Sequence, residues 1–115
     1  MDETTEFLNN LEFDEAQNSK DAALSFWKAL EEGDSFRKPT IGVGVEGNIH
    51  FSWREDQNYL ECEFFDSDYI EAFHEKNLGK EKADFVKEVE NKKFRSPKSA
   101  ANWIKHKTEN EQPRI

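Results

Sequence analysis

Across residues 40–75 apolar and polar side chains alternate with a period of two, and the alternation breaks at three short clusters of turn residues. Ile41, Val43 and Val45 alternate with Thr40, Gly42 and Gly44 before Gly47-Asn48. Ile49, Phe51 and Trp53 alternate with His50, Ser52 and Arg54 before the polar run at 55–58. Leu60, Cys62 and Phe64 alternate with Tyr59, Glu61, Glu63 and Phe65 before Asp66-Ser67-Asp68. Ile70, Ala72 and His74 alternate with Tyr69, Glu71 and Phe73. This pattern predicts four antiparallel strands in a meander, one face apolar and one polar.

The pattern also sets a register. With loops at 46–48, 55–58 and 66–68, the first hairpin pairs Val45 with Ile49, Val43 with Phe51 and Ile41 with Trp53. The second pairs Trp53 with Leu60, Phe51 with Cys62 and Ile49 with Phe64. The third pairs Phe64 with Ile70, Cys62 with Ala72 and Leu60 with His74. Apolar residues meet apolar ones throughout, with His74 the polar exception, read as a sheet-end residue. A slip of one residue would turn each apolar set outward, so the agreement carries weight.

A helix is expected to cover the apolar face. Ser19 is a favourable N-cap residue, with Asp21 in the first turn. Ala22, Ala23, Phe26, Trp27 and Leu30 then form one apolar stripe, and Gly33 stands where a glycine ends a helix. Upstream, Phe7, Leu8 and Leu11 have helical spacing. Downstream, Ala83, Phe85, Val86 and Val89 suggest a short helix. Ser96-Pro97 is a strong helix start, followed by the apolar face of Ala100, Ala101, Trp103 and Ile104, with residues 108–115 expected to fray. The expected fold is therefore α+β within a single domain spanning 1–115. It comprises an acidic N-terminal segment (1–18), an N-terminal helix packed on a four-stranded antiparallel β-meander (19–75), and a basic, mainly helical C-terminal segment (76–115).

Charge is placed as unevenly as hydropathy. The net charge is −9. Residues 1–75 hold 19 acids and 5 bases, while residues 76–115 hold 6 acids and 11 bases. Such asymmetry speaks of partners more than of fold. The acidic part repels nucleic acid and anionic lipid and attracts basic protein surfaces, the commonest large ones being nucleic-acid-binding grooves. The basic part has three candidate partners: its own acidic body, a second copy in a homodimer, or nucleic acid, the last opposed by overall charge. Ten Phe and three Trp argue against an acidic disordered chain. No apolar run approaches a membrane span, and the N-terminus, Met1-Asp2-Glu3, lacks a signal peptide's basic and apolar regions. A single cysteine, Cys62, excludes an internal disulfide and suits the cytoplasm of a host bacterial cell.

The same register places His50, Glu63 and Glu71 in one row on the outer face, with Glu61 and Phe73 in the next. A His with two carboxylates has the composition of a metal or acid–base site, but an open sheet face offers no pocket, so neither an enzyme activity, a metal nor a cofactor is expected. Glu63 opposite Glu71 is unfavourable for stability. Acids held there, with Asp66, Asp68 and Glu75 nearby and Tyr59, Phe65, Tyr69 and Phe73 among them, have the composition of a partner surface. The competing arrangement has the C-terminal segment covering this face.

Pro39-x-Ile41 followed by Gly47-x-Ile49-x-Phe51-x-Trp53 resembles small uncharacterised bacterial proteins that place an amphipathic helix before a proline, a strand and an apolar-x-apolar-x-Trp strand. The likeness covers about residues 19–75, with Glu46 where Asp is more usual, and implies a helix-then-meander fold. In size and acidity the chain also resembles phage-borne anti-CRISPR inhibitors, several of which act as DNA mimics. The function expected is a non-enzymatic inhibitor that binds a basic protein or nucleoprotein complex through Glu61, Glu63, Asp66, Asp68, Tyr69, Glu71, Phe73 and Glu75. The alternative is an antitoxin or immunity protein that blocks a toxin enzyme.

Overall fold

A computed structural model describes residues 2–10, 17–32, 36–44, 47–55, 58–66, 68–77 and 87–111. Three helices and five strands follow in the order α1 (Glu3–Asn9), α2 (Gln17–Leu30), β1 (Thr40–Val43), β2 (Ile49–Glu55), β3 (Asn58–Asp66), β4 (Tyr69–Asn77), β5 (Lys87–Phe94) and α3 (Pro97–Glu111). The strands form one antiparallel sheet in chain order, so β3 is its middle strand.

The second and third hairpins have the register that the alternation predicts. Phe51 faces Cys62 and Cys62 faces Ala72 across the centre of the sheet. The first hairpin is shifted by two residues: Val43 faces Ile49 and Ile41 faces Phe51. Gly44 N–H donates to Asn48 O at 2.8 Å, and Gly47 N–H donates to Gly44 O at 2.9 Å. The turn thus begins at Gly44, one residue past the last paired position of β1, with Gly47 at φ 85°, the left-handed region that glycine tolerates. A two-residue shift keeps every side chain on its own face, so period-two hydropathy is blind to it.

The inner face carries the core. Ile49, Phe51, Trp53, Leu60, Cys62, Phe64, Ile70 and Ala72 are buried against Ala22, Ala23, Phe26, Trp27 and Leu30 of α2 and Ala100, Ala101 and Ile104 of α3. Phe26 sits edge-on to Phe51 at 5.8 Å and to Phe64 at 5.0 Å. Phe51 and Phe64 pack edge-on at 5.2 Å. Each such pair adds about 0.5–1.5 kcal/mol beyond its area burial. That is how a chain with only 35% hydrophobic residues assembles a core.

Both helix starts expected from sequence need comment. Ser96 caps α3: its hydroxyl accepts from Ser99 N–H at 3.1 Å, with Pro97 at the first helical position. Ser19 is no cap. It lies inside α2, 3% exposed, and its hydroxyl reaches the sheet instead. α1 is capped by Asp2, which accepts from Thr5 N–H at 2.8 Å, and buries Leu8 and Thr4. Gly33, Leu11 and the segment 83–86 lie outside the described residues.

The main correction concerns the C-terminal segment. Val89 belongs to no helix but to β5, an edge strand on β4, and the sheet has five strands rather than four. α3 runs on to Glu111 rather than fraying from 108. β4 therefore becomes an interior strand, and His74 is buried rather than a sheet-end residue. Its Nε2 lies 3.3 Å from Asn58 Oδ1, its ring stands edge-on to Trp103 at 6.5 Å, and Glu90 faces it from β5. The apolar residue by which β5 joins the core is Phe94. Phe94 packs on Trp103 at 6.0 Å, and Glu90 accepts from Lys107 of α3 at 2.5 Å. With Lys93 of β5 opposite Glu71 of β4 and Lys105 of α3 donating to Glu32 O at 3.3 Å, the basic segment docks on the acidic body of its own chain, and its helix joins α2 on the inner face.

Candidate functional site: the outer face of the sheet

With both long helices on the inner face, the opposite face of the sheet is uncovered by any described element. Strand parity decides what stands there. Thr40 and Gly42 come from β1, His50, Ser52 and Arg54 from β2, and Tyr59, Glu61 and Glu63 from β3. Tyr69, Glu71, Phe73 and Glu75 come from β4, and Val89, Asn91 and Lys93 from β5. Six of the eight residues expected to bind a partner, Glu61, Glu63, Tyr69, Glu71, Phe73 and Glu75, share this face. Asp66 and Asp68 are exposed at the β3–β4 turn that ends it, beside a register irregularity between Phe64 and Asp66.

The row expected from sequence is present: His50 faces Glu63, and Glu63 faces Glu71. It extends at both ends, to Gly42 and to Lys93. Lys93 opposite Glu71 offsets the repulsion between Glu71 and Glu63. Three of the face's carboxylates also have side-chain neighbours. Tyr69 donates its hydroxyl to Glu71 Oε1 at 2.9 Å, Asn48 Nδ2 donates to Glu63 Oε2 at 3.4 Å, and His50 Nδ1 lies 3.9 Å from Glu61 Oε1. The His50 ring lies over Gly42, where any Cβ would meet its Cε1 at 2.2 Å. Any larger residue at 42 would have to displace that ring.

Aromatic rings mark the two ends of the face. At the β3–β4 turn end, Phe65 and Tyr69 stand edge-on at 5.4 Å, 37% and 38% exposed. At the β2–β3 turn end, Tyr59 and Phe73 stand edge-on at 6.1 Å, and the Arg54 guanidinium lies 4.7 Å from the Tyr59 ring centroid. Val89, 48% exposed, faces Glu75 beside them. Burial, and then the charge of Glu61, push the Tyr59 phenol above its ordinary value. The ring is thus a neutral donor on an acidic face.

Sequence reasoning missed Lys93, Asn91 and Val89 on this face, because β5 shows no apolar alternation. The only signal for it was an eight-residue run free of Gly and Pro. Among the described residues, no cluster of three or more His, Cys, Asp or Glu side chains is arranged to hold a metal ion. None of the described helices is long and apolar enough to cross a membrane. Cys62 is fully buried in β3, and burial pushes its thiol far above the ordinary range. A separate open groove of about 920 Å³ runs beside α2, with Asp2, Thr5, Trp27, Glu31 and Lys98 among its walls, remote from the acidic face. Comparison with known families, curated proteins and solved structures returns no match.

Proposed function

We propose that this chain is a non-enzymatic inhibitor whose outer sheet face occupies the basic nucleic-acid-binding surface of a partner protein. This is the mode of action of DNA-mimicking anti-CRISPR and other anti-defence proteins. The observation that carries the reading is the placement of Glu61, Glu63, Glu71 and Glu75 among exposed aromatic rings on the one sheet face that no described helix covers. Neighbouring acids on a strand stand about 6.8 Å apart, and those on adjacent strands about 5 Å. A sheet holds such an array rigidly, so little ordering entropy is lost when a basic groove meets it. Aromatic rings beside the carboxylates supply the anchors that a charged surface alone lacks.

Capture from host lysate at low and high salt tests the reading. The expected result is one nucleic-acid-binding protein or complex, recovered at low salt, lost as salt rises and displaced by DNA. A double reversal, Glu63→Lys with Glu71→Lys, is expected to abolish capture while the circular dichroism spectrum stays that of the native fold. Undiminished capture by the folded variant would sink the proposal. Recovery of a small enzyme at both salts would replace it with the antitoxin reading.

A further inference from the structure

The two edges of the sheet are built differently. β5 ends one side and carries Lys87, Glu88, Glu90, Lys92 and Lys93 along its length. β1 ends the other side, and from Thr40 to Gly44 the chain carries no charge. Charged side chains discourage an edge from pairing with other chains, and an edge without them is a template for a further strand. Among the described residues, β1 pairs with β2 alone.

The hydrogen-bond ladder decides which groups of β1 are left over. Antiparallel partners alternate between pairs that exchange both backbone bonds and pairs that exchange none. Gly44 N–H donates to Asn48 O at 2.8 Å. Val43–Ile49 is therefore a pair without bonds, Gly42–His50 a bonded pair, and Ile41–Phe51 again a pair without bonds. The N–H and C=O groups of Ile41 and Val43 thus point away from β2, off the edge of the sheet. Among the described residues, no turn or loop backbone takes them up. Their side chains are half-buried on the inner face, packed against the border of the core.

This edge is complementary to itself. Two β1 strands laid antiparallel about a twofold axis at Gly42 set Ile41 opposite Val43 of the second copy, and Val43 opposite its Ile41. Every left-over N–H and C=O of both strands then finds a partner. The apolar side chains meet each other on the inner face. At the axis Gly42 meets Gly42 of the second copy in a pair without bonds, the closest spacing in a sheet at about 4.5 Å, with no side chain on either. No charges are brought together along 40–44. The acids of the two outer faces stay apart: β3 and its copy are separated by about 24 Å across the strands between them, well beyond a Debye length of about 8 Å.

We infer that β1 is the interface of a symmetric homodimer, in which two copies join edge to edge into one continuous antiparallel sheet. The inference stands apart from the proposed function, since β1 contributes no carboxylate to the outer face.

Sedimentation equilibrium of the full chain tests it, over a hundredfold range of concentration reaching about 1 mM, because so short an interface makes a weak dimer. The expected result is a mass that rises from one chain toward two with concentration. The dimer is expected to strengthen with salt, because each copy carries a net charge of −9. Amide exchange at Ile41 and Val43 is expected to slow severalfold as the dimer forms, with no change along β5. Val43→Pro removes an outward N–H and no bond to β2, a position where an edge strand tolerates proline, and is expected to stay monomeric with the native circular dichroism spectrum. A mass of one chain at every concentration would overturn the inference. So would a dimer undiminished in the folded Val43→Pro variant, or one that dissolves as salt rises. Exchange that slows along β5 in place of Ile41 and Val43 would overturn it too, and that measurement is made on the native chain, so it decides even where the proline unsettles the strand.

Discussion

The Ser19 hydroxyl sits between Phe64 and Ile49, which face each other across β3 and β2. It donates to Phe64 O at 2.6 Å and accepts from Ile49 N–H at 2.9 Å. A helix side chain thus completes a sheet ladder, and α2 is fastened to β2 and β3 by the same group.

Ser19→Ala removes both bonds and leaves a buried donor and a buried acceptor unsatisfied. The expected cost is about 2–4 kcal/mol. At this chain length that lowers Tm by roughly 10 °C. Thermal unfolding of the variant checks it, and a loss below about 1 kcal/mol would mean that the ladder closes without the hydroxyl.

Gly42 and His50 form a second coupled pair. Gly42→Ala forces the half-exposed imidazole aside, because the new Cβ would fall on its ring. The ring can swing toward solvent, so the expected cost is modest, about 1 kcal/mol. In a His50→Ala background the sign reverses, since alanine in a strand is favoured over glycine by about 0.5–1 kcal/mol. A double-mutant cycle by urea unfolding reads the coupling. Simple additivity would show that the ring does not depend on the empty space at Gly42.

The Lys107–Glu90 contact predicts a pH dependence. The hydrogen bond from Lys107 holds the Glu90 carboxyl below its ordinary value, against the opposing effect of burial, and the charges of Lys107, His74 and Lys92 add to it. A depressed carboxylate contributes stability above its unfolded value, and that contribution is lost as pH falls through the folded one. Lys107→Met is therefore expected to destabilise by about 1 kcal/mol at pH 7, a small figure because solvent reaches the pair, and by progressively less as pH falls below the ordinary carboxylate range. Parallel stability curves for the two proteins between pH 3 and 7 would refute it.

Asp2 and Glu31 are hydrogen-bonded carboxyls whose affinities for the proton are pushed in opposite directions. Burial works against the charge on Asp2, but hydrogen bonds from Glu31, from Thr5 N–H and from the Trp27 indole outweigh it and hold its pKa well below the usual range. Glu31 is pushed up by its hydrogen bond to Asp2, then by burial and the Asp2 charge. A raised carboxyl contributes stability below its unfolded value and loses it as pH rises through the folded one. Glu31→Gln keeps a donor without the charge, so it is expected to stabilise at pH 7 by a few tenths of a kcal/mol, screening included. The signal is a shift of the Trp27 indole N–H resonance between pH 4 and 7 in the native protein that is absent in the variant. An unchanged pH profile would dissolve the pair.

The meander was readable because one face of each strand is buried, and burial writes hydropathy into every second residue. The outer-face acids followed from the same parity, which is why Glu61, Glu63, Glu71 and Phe73 could be placed together before any coordinates. β5 was unreadable for the opposite reason. Lys92 and Glu90, its residues facing Ala72 and His74, are exposed and half-buried charges, and an edge strand needs such charges to discourage pairing with other chains. The two-residue offset of β1 was hidden because it preserves faces. Ser19 was misread because a hydroxyl at a helix start has the same sequence appearance whether it caps the helix or reaches across to a sheet.

Cys62 lies at mid-strand in the middle strand, walled by Phe51 and Ala72 on either side and fully buried. No alkylating reagent meets its sulfur until the helices have lifted from the inner face of the sheet or the sheet itself has opened. The protein therefore carries its own stopwatch: the rate at which this one thiol is labelled under native conditions reports how often the molecule opens to its middle, with fraying of α1 or of the edge strands leaving no mark on it.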